Sequence, residues 1–293
     1  MTKPVLAYIG VGLMGLPMVR HLVPKGYTIR AYDIAAGQRD AAAKAGATVA
    51  KSPADAVSGA DIVVTNLPTG AAVESVVFGD GGVAKAMKPP QRLVDFSTIP
   101  VEQGRDSARR LREMSGCGWV DAPVSGGPPA SGTGTLTVMV GGEASDIDAV
   151  RPFLADISQR YTIMGGPGSG LVTKMINQMI VGSAHAVLAE ALVVAESAGI
   201  DASKLPECLS GGFADSPLLQ KLYPRMVKRD FAPQGYARQL LKDLEMVSVF
   251  AGGMKAPIPI SSEALNLYRI LCHLGHSELD TAALVKIYGV GDE

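Results

Sequence analysis

Cysteine is scarce in this chain of 293 residues: Cys117, Cys208 and Cys272 are three in number and far apart. An odd, scattered set builds neither a disulfide framework nor a zinc site, and it points to a reducing, cytoplasmic setting. Histidine is nearly as scarce. His273 and His276 lie close together but have no further ligand at a diagnostic spacing, so no metal is expected. Net charge is also missing: 27 basic and 28 acidic residues leave −1, and no global field favours nucleic acid or an anionic membrane. The cluster Arg105, Arg109, Arg110 and Arg112 is interrupted by Asp106 and Glu113 and reads as a solvated helix face. The most apolar stretch, Met175 to Ala198, carries Asn177, Gln178, His185, Glu190 and Glu196, and it reads as a buried helix rather than a membrane span. The first strand begins by Val5, which leaves no room for a secretory leader.

Glycine, by contrast, is abundant, with 34 residues, and apolar residues make up 47% of the chain, enough for two cores. Gly10, Gly12 and Gly15 stand at the spacing G-x-G-x-x-G. Before them, Val5 to Ile9 is a short apolar run that reads as a buried parallel strand. After them, Leu13, Met14, Leu16, Met18, Val19, Leu22 and Val23 recur at helical spacing, and Gly26 can end that helix. Strand, glycines and helix in this order are the context a dinucleotide-binding turn requires. Gly10 would permit the sharp turn, Gly12 the approach of a pyrophosphate to the backbone, and Gly15 close packing of helix on strand. The pyrophosphate would lie at the helix N-terminus, where N–H groups and the dipole favour an anion. A second strand, Tyr27 to Tyr32, ends at Asp33, 18 residues after Gly15. A carboxylate there suits the adenosine ribose hydroxyls, although the same residue could simply cap the next turn.

The first half goes on alternating. A helix over Gly37 to Ala45 precedes a strand over Ala60 to Asn66 that Leu67-Pro68 ends. Leu93 to Phe96 is followed by Ser97-Thr98, and Trp119 to Ala122 by Pro123 to Gly127. Thr135 to Val140 and Arg160 to Met164 are later strands that could pair antiparallel at one edge. Such alternation predicts a doubly wound, Rossmann-type parallel sheet. At Gly165 to Gly170 the pattern changes to helices: one of nearly thirty residues closed by Gly199, then Ala202 to Leu209, Pro217 to Lys228, Ala237 to Ala251, Ile260 to Leu274 and Asp280 to Tyr288. The expected organisation is an α/β nucleotide domain over 1–165 and an all-α domain over 166–293.

Within the long helix, Lys174, Asn177, Gln178 and His185 fall in one narrow stripe at 3.6 residues per turn. An ammonium on so apolar a helix must snorkel, pair, or line a polar cavity. Position alone leaves Lys174 open to being a solvated lysine at the helix start. His185 lies 11 residues further on, roughly 16 Å away along the axis, and reads as a hydrogen-bonded packing residue. Ser125-Gly126-Gly127 offers N–H groups and a hydroxyl for a small carboxylate, and equally a simple glycine turn.

Together these segments resemble the β-hydroxyacid dehydrogenase family over nearly the whole chain. The matching motifs are Ile9 to Gly15, Asp121 to Gly127, Gly168 through Lys174 to Asn177, and Lys242-Asp243-Leu244. The resemblance implies that Lys174 is the general acid–base and that Asn177 helps hold the substrate. It implies that Lys242 contacts the cofactor and that Thr98 lines the nicotinamide. Leu13 and Met14 in the glycine loop, and Leu67 and Pro68 after their strand, are assigned to the cofactor as well. The implied cofactor is NAD, favoured by Asp33, with NADP as the alternative. The implied substrate is a small carboxylate-bearing hydroxyacid or semialdehyde, and the implied assembly is a homodimer or homotetramer. Asn177 to Val181, Gly211 to Ser216 and Arg225 to Phe231 look like the tartronate semialdehyde reductase branch; the 3-hydroxyisobutyrate branch commonly has asparagine where Gln178 stands. Glu245 replaces the glycine that often follows Lys-Asp-Leu. A non-catalytic dinucleotide sensor or scaffold would have no need of Lys174, and the related imine reductases usually carry another residue there.

Overall fold

The computed structural model describes residues 3–289. The chain forms two compact units, Met1–Lys174 and Met175–Glu293. In the first unit β1 (Val5–Ile9), β2 (Thr28–Tyr32), β3 (Thr48–Val49), β4 (Ile62–Thr65), β5 (Arg92–Asp95) and β6 (Gly118–Asp121) lie side by side in the order β3-β2-β1-β4-β5-β6. All the pairings among these strands are parallel. The order reverses direction between β1 and β4, so the turns after these two strands open a crevice at the carboxyl edge of the sheet. β1 and β4 are apolar and almost wholly buried, as strands covered on both faces must be. Leu6, Tyr8, Met18, Val64, Val94, Val120 and Phe153 belong to the core beneath them.

Beyond β6 the sheet becomes mixed. β7 (Val124–Ser125) and β6 both pair antiparallel with β8 (Leu136–Gly142). β9 (Ser158–Gly165) instead runs parallel to β8, because the helix Ala144–Ile157 carries the chain back across. The antiparallel edge expected for both late strands therefore holds for β8 and not for the β8–β9 pair.

A 29-residue helix, Ser169–Ser197, begins at the glycine-rich segment, and the division between the compact units falls in its second turn. The second unit is otherwise helical. Its main elements are Leu205–Leu209, Pro217–Lys221, Tyr223–Val227, Ala237–Gly253 and Pro259–Leu271. Leu192, Tyr223, Leu244, Leu265, Tyr268 and Val285 belong to its core. Pro217 to Lys228 is two short helices and not one. Pro224 has no N–H to continue the first, and Ser216 caps that first helix through Leu219 N at 3.1 Å.

The long helix corrects one expectation. It is long and apolar enough to cross a membrane by length and composition alone, and in this chain it is buried along only part of its girth. Ile176, Ile180, Val187 and Val194 form an exposed stripe, each more than half accessible. Lys174, Gln178 and His185 lie buried along another stripe, as their helical spacing predicts. One chain supplies packing for one side of a helix that is apolar nearly all round.

Candidate active site

The glycine turn follows β1. Gly10 has φ +94°, and a Cβ there would strike the Asn66 carbonyl oxygen; a Cβ on Gly15 would strike the Gly10 carbonyl oxygen. These two glycines are required by the fold itself. Gly12 is different, since a Cβ there meets no protein atom within 4 Å and its φ is ordinary. The bare backbone at Gly12 is what a closely approaching pyrophosphate needs, so the turn fits a dinucleotide. The helix Gly15–Leu22 has no side-chain cap; Leu16 N already donates to Gly12 O at 3.0 Å, so the N–H groups ahead of Leu16 are those that could meet an anion. Leu13 and Met14 form the exposed and half-buried shoulders of the turn.

Asp33 holds this turn in place. One carboxylate oxygen accepts from Val11 N at 2.9 Å, and the other accepts from Ala35 N at 2.9 Å. Each oxygen keeps lone pairs for further donors such as ribose hydroxyls. The turn-capping role and the ribose role are therefore compatible in one side chain. Arg39 donates to the backbone carbonyls of Asp33 and Ile34 at 2.7 and 2.9 Å, which anchors its guanidinium beside the same turn.

Two buried carboxylates organise the next two strand ends, and sequence reading did not single out either for this task. Asp95 and Asp121 are partners in the β5–β6 register. Asp95 Oδ1 accepts from Thr65 Oγ1 at 2.9 Å and from Ser97 N at 3.0 Å, and Ser97 Oγ in turn accepts from Leu67 N at 2.9 Å. This network fixes the segments that carry Leu67, Pro68 and Thr98. Asp121 does not face the glycine turn that follows it. Its two oxygens accept from Gly168 N at 2.8 Å and Leu171 N at 3.0 Å, at the start of the long helix. Burial pushes both carboxyls up to about 6, against the backbone and side-chain donors that hold them down. The signal was present as an aspartate closing each of two apolar strands.

Asp121 thereby anchors the helix turn that carries Lys174. The Lys174 side chain is only 8% exposed, and its Nζ donates to the Val124 carbonyl oxygen at 2.9 Å. The solvated-lysine alternative is removed by this burial. The contact brings Lys174 together with the loop holding Ser125, Gly126 and Gly127. Ser125 ends β7, and Gly126 and Gly127 both take positive φ as they enter the short helix Gly127–Thr133. Pro128 and Pro129 supply no N–H, so the loop's donors are confined to the residues around the two glycines.

In the second unit, Asn177 Nδ2 donates to Gln178 Oε1 at 2.7 Å, and Gln178 Nε2 donates to Asp243 Oδ2 at 2.6 Å. Lys242 Nζ forms an ion pair with Asp243 Oδ1 at 3.1 Å. Asn177 and Lys242 are thus joined through two residues that separate sequence motifs did not connect. Glu245 pairs with Arg269 at 2.8 and 2.9 Å, which is what replaces the glycine at that helix position. His185 accepts or donates at 2.9 Å with Tyr268 Oη, and burial pushes its imidazole down to about 4. It is the packing histidine expected.

A parallel sheet whose order reverses at an uncapped glycine turn, with a buried lysine on the following long helix reaching the loop after β6, is the frame of a dinucleotide-dependent oxidoreductase. Residues 5–166 match the NAD-binding domain of 6-phosphogluconate dehydrogenase, and residues 168–288 match the NAD-binding domain of NADP-dependent 3-hydroxyisobutyrate dehydrogenase. The chain belongs to the β-hydroxyacid dehydrogenase family and is an NAD(P)-dependent enzyme acting on CH–OH groups. It is 33% identical over 281 residues to 2-hydroxy-3-oxopropionate reductase of Escherichia coli, covering 96% of each chain. It is 31% identical over 290 residues to NAD-dependent L-serine dehydrogenase of Pseudomonas aeruginosa, covering 97% of each. The structure of Mycobacterium tuberculosis 3-hydroxyisobutyrate dehydrogenase with L-serine superposes with a TM-score of 0.87 at 30% identity, over 98% of this chain and 99% of that one.

Proposed function

We propose that the chain interconverts tartronate semialdehyde (2-hydroxy-3-oxopropionate) and glycerate, with NAD as the preferred coenzyme. The observation that carries this reading is the buried Lys174 ammonium beside the Ser125–Gly127 loop. When bound, the nicotinamide supplies or accepts a hydride. The protein's task is then the oxygen and the carboxylate. Reduction of an aldehyde leaves negative charge on oxygen, and Lys174 Nζ donates the proton that neutralises it; in oxidation Lys174 takes the proton back. The N–H groups around Gly126 and Gly127 and the Ser125 hydroxyl hold the substrate carboxylate. Asn177, three residues after Lys174 on one unbroken helix, holds the reacting end of the same small molecule. Asp33 receives the ribose hydroxyls, and its charge repels a 2′-phosphate.

The 2-hydroxyl of the proposed substrate needs a polar partner, since burying it unpaired costs about 1–3 kcal/mol. Gly211 to Ser216 is the segment assigned to that task. Ser216 Oγ already accepts from Leu219 N, which leaves its O–H and one lone pair for a substrate hydroxyl. The test compares tartronate semialdehyde with methylmalonate semialdehyde, each with NADH and NADPH. The hydroxylated substrate is expected to win in kcat/KM by roughly tenfold or more. Preference for the methylated substrate moves the chain to 3-hydroxyisobutyrate oxidation with the same Lys174 chemistry. Binding of NADH without turnover of any C3 or C4 hydroxyacid or semialdehyde supports a sensor.

A further inference from the structure

We infer that Gln178 is a positioning residue that fixes which way the Asn177 amide faces, through the buried carboxylate of Asp243. The inference rests on the reading of Asn177 as a substrate contact and names the chemistry that contact selects. Asp243 is 4% exposed, with the Lys242 ammonium 3.1 Å from one oxygen. An ionised carboxylate can only accept, so Gln178 must turn its NH2 towards Asp243 Oδ2, at 2.6 Å. That choice aims Gln178 Oε1 the other way, where it can only accept, and Asn177 Nδ2 donates to it at 2.7 Å. The end of the chain is then set: Asn177 has one of its two N–H groups engaged by Gln178 and presents Oδ1 as an acceptor on the side away from it. No other hydrogen bond engages the Asn177 side chain among the described residues.

The consequence is a substrate preference. With the amide held this way round, Asn177 Oδ1 is placed to accept from a donor on the group it holds, a hydroxyl or a protonated amine. Gln178 is 9% exposed, so the relay runs largely out of water, where an amide that flipped would set two acceptors or two donors against each other. The charged groups around position 178 are Asp243 and Lys242 on the helix Ala237–Gly253 and Lys174 one turn earlier on its own helix.

Two variants of the full chain test this. Gln178→Leu removes both hydrogen bonds, and KM for the hydroxyacid is expected to rise about tenfold while KM for the coenzyme holds. Gln178→Glu keeps the shape. Protonated, it donates to Asp243 and accepts from Asn177 as glutamine does; ionised, it faces a second carboxylate. Its kcat/KM for the hydroxyacid should therefore fall about tenfold through a new ionisation as pH rises, a step absent from the wild type. The Asn177 side-chain amide resonances should titrate with the same midpoint in this variant only. An unchanged hydroxyacid KM in Gln178→Leu, or a Gln178→Glu chain whose Asn177 resonances do not titrate, overturns the relay. Absence of hydroxyacid turnover in the wild type overturns the reaction instead, and the Asn177 resonances still decide the relay.

Discussion

Lowering the pH from 7.5 to 5 should move the two units in opposite directions. In the second unit, burial holds the His185 imidazole at about 4, against an ordinary 6.5. The unfolded chain takes up this proton below 6.5 and the folded one does not. Stability present above 6.5 is therefore lost as the pH falls towards 4, amounting to about 2 kcal/mol by pH 5. In the first unit, Asp95 and Asp121 are raised to about 6 from 3.8, so the folded form binds protons that the unfolded form refuses. Their contribution is present below 3.8 and lost as the pH rises through 6, and it returns about 1 kcal/mol each at pH 5. Mutual repulsion of the pair makes the two gains less than additive. The exposed Asp201, Asp215 and Asp230 are held below the usual carboxylate range by local hydrogen bonds and do not titrate in this window. The opposing contributions nearly cancel in a global melt. Amide hydrogen exchange at both pH values, corrected for intrinsic rates, separates them. Core amides near Tyr268 should lose protection at pH 5 and core amides of β5 and β6 should gain it, with the first effect absent from His185→Gln. Equal movement of both units would refute the reasoning.

Lys174→Met keeps most of the buried stem and removes the ammonium; turnover should drop by a factor on the order of 10² or more with NADH binding largely kept, and near wild-type turnover would remove Lys174 from proton transfer. Asp33→Ser should weaken NAD use and improve NADP use, while a wild type that already prefers NADPH would mean that Arg39, anchored beside the turn, outweighs the carboxylate. Gly12→Ala should leave stability within about 0.5 kcal/mol and weaken NADH binding tenfold or more by titration, whereas Gly10→Ala should destabilise the fold by more than about 1 kcal/mol.

The parts of the molecule legible in the sequence are those set by neighbours along the chain. The glycine turn reads from strand and helix periodicities on either side of three residues. The stripe holding Lys174, Gln178 and His185 reads from one helix. What sequence could not supply are the partners. Val124 O for Lys174 lies 50 residues away and is a backbone atom that no side-chain pattern marks. Asp121 stands five residues before Gly126, in the motif it was grouped with, yet its oxygens face a helix start 47 to 50 residues later. The strands β3 and β7 have two residues each, too short for any alternation to register. The β8–β9 pairing is set by the crossover helix between them, and an apolar run looks alike in either direction.

The anchoring of the long helix by Asp121 also decides where this molecule can be recombined with its relatives. The family match to the nucleotide-binding half stops at residue 166, while the first compact unit runs on to Lys174. A chimera spliced at 166 takes Gly168 and Leu171 from a foreign chain and asks Asp121 to dock on a helix it did not evolve with. Two charge-assisted hydrogen bonds and a buried carboxylate then sit at the seam. A splice after Lys174 keeps the anchor, the lysine and Val124 in one parental piece, and hands over Asn177, Gln178 and Asp243 together in the other. Exchanged there, the Asp121, Lys174 and Gln178–Asp243 contacts each stay within one parental half.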